Sequence, residues 1–297
     1  MVFQIGEATI DRIEEAHGPG FDAAHLLPDW DPEILKEHGD WLIPRHYHAR
    51  TGRFITSLHS WLVRTKHHTI LVDTCTGNHK HRPHSPLFHM KDTPYLERLK
   101  AAGVAPEEID FVMCTHLHVD HVGWNTKLEN GRWVPTFPNA KYVFSTTDRD
   151  YWDPAKNPAL DEEARQIFED SVHPVIAAGQ DHLVDVDDQL DDNLFIKGAP
   201  GHTPGQIMLQ LKGGQGSLGG AQEGLFTGDA MHHPIQVYRP RWSSRFCTDP
   251  IESADTREKI LGHCADCNAL MLPAHFGGSH AGRVLRKGDG FRFAFEE

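Results

Sequence analysis

The run Thr115-His116-Leu117-His118-Val119-Asp120-His121 sets three imidazoles and one carboxylate in the pattern H-x-H-x-D-H. Imidazole and carboxylate are the ligand types that suit zinc and its first-row neighbours, and this spacing brings them within reach of one small volume. A catalytic metal centre that activates water is the chemistry such a cluster supports. The competing explanation is chance, because the chain carries 23 histidines in 297 residues and scatters several of them between Asn78 and His89.

Position separates the two explanations. Ile109 to Thr115 is a short, mostly apolar run that reads as a buried strand, and the ligand pattern begins where it ends. Three further segments repeat that grammar: Leu194-Phe195-Ile196 leads to Gly201-His202-Thr203-Pro204-Gly205, Leu225-Phe226-Thr227 to Gly228-Asp229, and Leu270-Met271-Leu272 to Pro273-Ala274-His275. Each places one ligand-type residue just past an apolar strand, where open α/β architectures put their sites.

The set His116, His118, Asp120, His121, His202, Asp229 and His275, with Asp73 in Leu71-Val72-Asp73-Thr74, resembles the metallo-β-lactamase-fold hydrolase superfamily, in its lactonase and organophosphate-hydrolase-like branch. The matching motifs run in the family's order from about Asp73 to His275 and so cover most of the chain. The resemblance implies an α/β fold, an αββα sandwich of two mixed β-sheets flanked by helices, with a metal site along one edge. It further implies that His116, His118 and His202 hold one metal, that Asp120, His121 and His275 hold a second, and that Asp229 bridges them. Two divalent ions are expected, zinc by default, with manganese, iron or cobalt able to occupy an N/O site of this kind. A metal-bridging hydroxide would be the nucleophile, and Asp120 would also orient or relay a proton. Asp73 is read as supporting the ligand loop from behind; the plainer reading is a turn-capping aspartate.

Departures from the pattern narrow the substrate. True β-lactamases replace the bridging carboxylate, whereas this chain keeps Asp229. Relatives that open acyl-homoserine lactones commonly carry a tyrosine three residues after that aspartate; here the position is His232, followed by His233. His232 is a candidate oxyanion donor on another lactone or ester. Only 22 residues follow His275, too few for the glutathione-gripping module of glyoxalase II-like thioesterases, and no flavodoxin-like segment is present. The expected substrate is a small-molecule lactone or carboxylic ester. An organophosphate triester or aryl ester is the alternative, and thioesterase, β-lactamase, nuclease and non-enzymatic metal binding rank below it.

Composition removes other classes. With 29 basic against 42 acidic residues the formal charge is −13, and the densest basic stretch, Tyr238 to Arg245, is short, so a nucleic-acid partner is not expected. That stretch either meets an anionic group on a small molecule or is a solvated loop. No apolar run approaches the roughly 18 residues of a membrane span, and Met1 to Glu7 does not read as an export signal, so a cytoplasmic location is expected. Cysteines 75, 114, 247, 264 and 267 are odd in number and read as reduced thiols. Cys264-Ala265-Asp266-Cys267 lacks the second pair a zinc knuckle would need, and packed or idle thiols are expected there.

The remaining elements read coarsely. Phe54 to Arg64 and His68 to Asp73 predict a hairpin; Thr93-Pro94 starts a helix that stops at Gly103; Asp161 to Phe168 and Ser253 to Leu261 carry helical patterns; Gly213 to Gly224 reads as a long hairpin loop. One hydrolase domain over residues 1–297 is expected, with pocket loops near 21–48, 76–92 and 231–250. Trp30, Trp41, His233 and Tyr238 are candidate substrate contacts from those loops; ordinary packing or a homodimer contact would use the two tryptophans equally well.

Overall fold

The computed structural model describes residues 2–213 and 222–296. Among the described residues seventeen strands, numbered in chain order, fall into two large sheets and one small ribbon. The first sheet runs β1 (Phe3–Ile5), β2 (Ala8–Asp22), β4 (Arg53–Arg64), β5 (Thr69–Val72), β6 (Phe111–Met113), β9 (Lys141–Ser145) and β10 (Asp181–Val184), with β3 (Tyr47–His48) paired to the start of β4. The second runs β11 (Gln189–Asp191), β12 (Leu194–Gly198), β13 (Ile207–Lys212), β14 (Glu223–Gly228), β15 (Leu270–Pro273), β16 (Gly282–Lys287) and β17 (Gly290–Phe295). The ribbon is β7 (Thr126–Glu129) with β8 (Arg132–Pro135). Both large sheets are mixed: β5, β6, β9 and β10 pair in parallel, as do β14 and β15.

Alternation along the strands explains the layering. Trp61, Val63, Ile70, Val72, Met113 and Val143 point inward and meet Leu194, Ile196, Leu209, Leu211, Phe226 and Leu272 of the second sheet. Their neighbours one residue away, Leu62, Leu71, Val112, Tyr142 and Phe144, point outward and pack with Tyr95, Leu99, Phe168, Val172 and Val175. The outer face of the second sheet carries Leu225 and Met271 against Ile260, Leu261 and Cys264 of the helix Pro250–Cys267. Side chains two apart share a face, so each buried strand serves two cores and reads as a continuous apolar run. The result is the expected αββα sandwich.

Most expected elements appear with extended or trimmed ends. The 54–64 and 68–73 hairpin is β4 with β5. The helix starting at Pro94 is Tyr95–Ala101, and Asp161 caps a helix of Glu162–Ser171 through a bond from Ala164 N. The second helical pattern is longer than read: Asp249 accepts from Ile251 N and Glu252 N, and Asn268 closes the helix in the left-handed conformation. Lys212 pairs with Glu223 across the expected glycine-rich hairpin, whose residues 214–221 lie outside the described residues. Cys264 is buried on the long helix, where desolvation pushes its thiol up to about 12, while Cys267 is exposed; neither is bonded to another cysteine. Among the described residues no helix is long and apolar enough to cross a membrane.

Candidate metal centre

The four strand ends singled out above converge. His116, His118, Asp120 and His121 follow β6; His202 lies between β12 and β13; Asp229 follows β14; His275 follows β15. Four groups form there, each with ligand atoms within 4.8 Å of one another: His116, His118 and His202; His116, His121 and Asp229; Asp120, His121 and His275; and His202, Asp229 and His232. His202 Nε2 and His118 Nδ1 face each other at 2.9 Å, and His275 Nε2 and His121 Nε2 at 3.2 Å. Asp229 sits between the groups, with Oδ2 at 3.4 Å from both His121 Nε2 and His202 Nε2 and Oδ1 at 3.0 Å from His275 Nε2.

Lone-pair-bearing nitrogens pointed at one another are unfavourable unless a proton or a cation lies between them. His116 Nε2 is moreover buried with no hydrogen-bond partner, 3.8 Å from Asp229. Burial holds His116 and His202 well below the usual imidazole range and His118 down to about 4, so these three rings are neutral at pH 7, the form in which an imidazole can bind a cation. Burial opposes charge on His121 as well, but Asp229, Asp73 and Asp120 outweigh it and raise that ring. Burial likewise opposes ionisation of Asp229, yet His275, His121 and His232 keep it well below the usual carboxylate range. The donor set, nitrogen and carboxylate oxygen in two adjacent groups sharing one aspartate, fits a pair of divalent cations.

Each of four ligand rings is held through its other nitrogen. Thr115 Oγ1 lies 3.1 Å from His116 Nδ1, Asp73 Oδ2 2.9 Å from His121 Nδ1, Ser57 O 3.2 Å from His275 Nδ1, and Cys247 Sγ 3.5 Å from His202 Nδ1. Such partners fix tautomer and ring direction. Asp73 also accepts from Thr115 N and Thr115 Oγ1, so it ties both ends of the ligand run together. It does so from a left-handed backbone (φ 60°) that turns its carboxylate back from the end of β5. Gly228, at φ 49°, lets β14 pass Thr115 so closely that an added Cβ would lie 2.7 Å from its Oγ1.

Asp148, which the sequence reading passed over, belongs to the same scaffold. It is 1 % exposed and accepts from Leu117 N at 2.9 Å and Gly205 N at 3.1 Å. Burial pushes it up to about 6 against the pull of those donors. A signal was available: Lys141–Ser145 is a fifth apolar strand followed within three residues by an acidic side chain.

A cavity of about 750 Å³ opens onto Asp120, His118, His202, Asp229, His232 and His275. All three expected pocket loops reach it, through Phe21, His25 and Leu26, through His84 to Phe88 with Lys91, and through His232 with Phe246. Phe21 joins them, its ring 6.2 Å from Phe88 and 5.2 Å from Phe246. Residues the sequence reading missed complete the wall: Ala16 to Gly20 of β2, Leu117, Val119, Trp152, Ile167, Phe168 and Val172.

Four expected substrate contacts fall elsewhere. Trp30 packs on Tyr47, Phe54 and Trp242, and Trp41 on Tyr238, His46 and Phe295. Tyr238 accepts from Phe293 N. His233 stacks on Phe54 at 3.8 Å, with one nitrogen on His46 O and the other accepting from Ile235 N. These rings join Ala23, Leu26, Leu27, Ile34, Leu42 and Ile235 in a small core that anchors the loops instead of facing the cavity. In the basic stretch, Arg239 and Arg241 pair with Glu37 and Asp255 of the protein itself.

His232 stays at the centre. Its Nε2 is 3.2 Å from Asp229 Oδ2, its Nδ1 is buried without a partner, and Gln236 Oε1 holds its backbone through His232 N at 2.6 Å.

Comparison with known proteins agrees with the fold. The chain is 23% identical over 190 residues to N-acyl homoserine lactonase AttM of Rhizobium radiobacter, a match spanning 62% of this chain and 65% of that protein, just under two thirds of the relative's length. Among solved structures it resembles hydrolase AbOPH of the beta lactamase superfamily (TM-score 0.81, 23% identity, 100% of this chain and 97% of that one). It also resembles AidC, a dizinc quorum-quenching lactonase in complex with a product (TM-score 0.79, 23% identity, with the same coverage of both chains). The model of the metallo-beta-lactamase superfamily matches residues 56–272, and the chain belongs to that family.

Proposed function

We propose that this protein is a dinuclear metal-dependent hydrolase of a small-molecule lactone or carboxylic ester. The observation that carries the reading is the joining of two spaces: a cluster of imidazoles and carboxylates forms one end of a cavity whose other walls are mostly apolar. Its volume suits one small molecule, and apolar walls beside a few polar groups suit an uncharged substrate with an apolar arm. The lactonases among its relatives support the cyclic ester over an open one.

In this reading His116, His118 and His202 would hold one cation and Asp120, His121 and His275 the other, with the Asp229 carboxylate within reach of both groups. Two bound divalent ions supply a strongly acidified water and polarise the ester carbonyl. Asp120 lines the cavity with 15 % of its side chain exposed, and it takes the proton from the attacking water and returns it to the departing alcohol oxygen. His232 hydrogen-bonds the oxygen that gains charge. Phe21, Phe88 and Phe246 cover the apolar arm and keep water away from it.

The test is proton release in a buffer-free assay by zinc- or manganese-loaded protein, comparing a lactone series with aryl esters and a phosphotriester. Lactones hydrolysed fastest support the reading. A lead for the phosphotriester overturns the ester assignment while leaving the metal cluster in place, and no turnover of any class overturns both.

A further inference from the structure

We propose that the short helix Thr146–Trp152 is a positioning element for one of the two cations, acting through Asp148 and Trp152 on the His116, His118 and His202 group and leaving the other group alone. This rests on the two-cation reading above.

Three observations carry it. The Asp148 carboxylate accepts from Leu117 N, the peptide between His116 and His118, and from Gly205 N, three residues past His202. One side chain therefore ties together the two loops that supply this group, although they belong to different sheets. One turn further on, the Trp152 ring packs edge-on to the His118 ring at 5.2 Å and 70°. Finally, the loop and helix approach so closely that a Cβ at Gly205 would lie 2.3 Å from Asp148 N, so glycine is required for the tie. No contact of comparable kind joins this helix to Asp120, His121 or His275 among the described hydrogen bonds and ring contacts; His121 is held by Asp73 and His275 by Ser57 O. Asp148 thus stands behind the loops of His116, His118 and His202, whereas Asp73 holds His121 directly and reaches His116 only by way of Thr115.

A group that orients ligands without touching the ion changes metal affinity by roughly 10- to 100-fold when removed. The experiment is a zinc titration of the full-length protein against a chelator series, counting equivalents by mass spectrometry. Wild type should hold two. Asp148→Ala should weaken one equivalent by that factor and leave the second at wild-type affinity. In a double-mutant cycle, Asp148→Ala should add nothing to His202→Ala but should add fully to His275→Ala. Equal weakening of both equivalents, or full additivity with His202→Ala, would overturn the proposal. Should Asp148→Ala not fold, Asp148→Asn and Trp152→Leu carry the same expectation: an amide keeps an acceptor for one backbone N–H but sets a donor against the other, and leucine removes the ring under His118. Both variants leaving the two affinities unchanged would also overturn it. Wild type holding fewer than two equivalents would sink the two-cation reading itself, a result separate from any difference among variants.

Discussion

The metal cluster and the cavity wall beside it are built on opposite plans. In the cluster the candidate rings come from strand ends, and four of them are fixed through a second nitrogen by a contact to a named neighbour, such as Asp73 behind His121 or Ser57 O behind His275. In the wall the side chains fix one another: Phe21 from β2, Phe88 from the 76–92 loop and Phe246 from the 231–250 loop meet only through ring contacts. Directional bonds specify position one residue at a time, whereas apolar contact specifies volume collectively. Single substitutions should therefore be severe in the first region and graded in the second.

The strongest test of that contrast is Asp229→Ala, which should lose bound metal and reduce turnover by on the order of a thousandfold or more, with circular dichroism showing a folded chain. Full activity would refute the shared bridging carboxylate. Next, His232→Ala should lower kcat by roughly ten- to a thousandfold, the range for a lost oxyanion donor; an unchanged rate would return His232 to a packing role. In the wall, Phe246→Ala should leave kcat nearly unchanged while flattening the preference for arm length, by up to about fourfold in kcat/KM per methylene, since burial of one CH2 is worth about 0.8 kcal/mol. A collapse of kcat instead would show that the wall, too, is specified ring by ring.

The smallest effect concerns the footing of the 76–92 loop. Lys80 is fully buried, hydrogen-bonded to Thr126 Oγ1 and Asp170 O, 3.4 Å from the Asp170 carboxylate and over the ring of Trp133, while Arg82 grips the same carboxylate with two bonds. Burial pushes the Lys80 ammonium from 10.5 down to about 7. Between those values the unfolded chain holds a proton that the folded chain releases, so stability should rise as pH climbs from about 7 towards 10.5. Lys80→Met should remove that rise, seen as a difference of a few degrees in the pH dependence of Tm. An identical slope in both proteins would place Lys80 outside the linkage.

The same contrast governs what could be read from the sequence. The seven candidate ligand positions that converge in the structure were legible because a strand followed by a ligand-type residue is a local pattern, and the sandwich was expected from the family resemblance those motifs carry. The wall was legible only in part: the three expected loops reach the cavity, but the end of β2 and the residues Leu117, Val119, Trp152, Ile167, Phe168 and Val172 were not foreseen. β2 carries Gly18, Pro19 and Gly20 near its end, residues that argue against a strand, and its pairing with β4 slips between Glu14 and Ala16 and again between Pro19 and Asp22. That irregular end lines the cavity. Trp30, Trp41 and Tyr238 misled for a related reason: an aromatic ring serves a pocket or a core equally well, and only its tertiary neighbours decide. Asp148 was missed because a strand followed by an acid three residues later looks like an ordinary helix start, which it also is.

The two sheets are not merely stacked. At the metal edge they are sewn together by main-chain bonds: Ser57 N donates to His275 O, Ile207 N to Thr115 O, and Thr56 forms a bridge with Phe276, while the Trp61 indole reaches Pro273 O. Between the sheets the sandwich is otherwise joined mainly by apolar contact, which is non-directional. Sliding of one sheet over the other should therefore be smallest at the sewn edge, and amide hydrogen exchange at Ser57 and Ile207 should be among the slowest in the molecule.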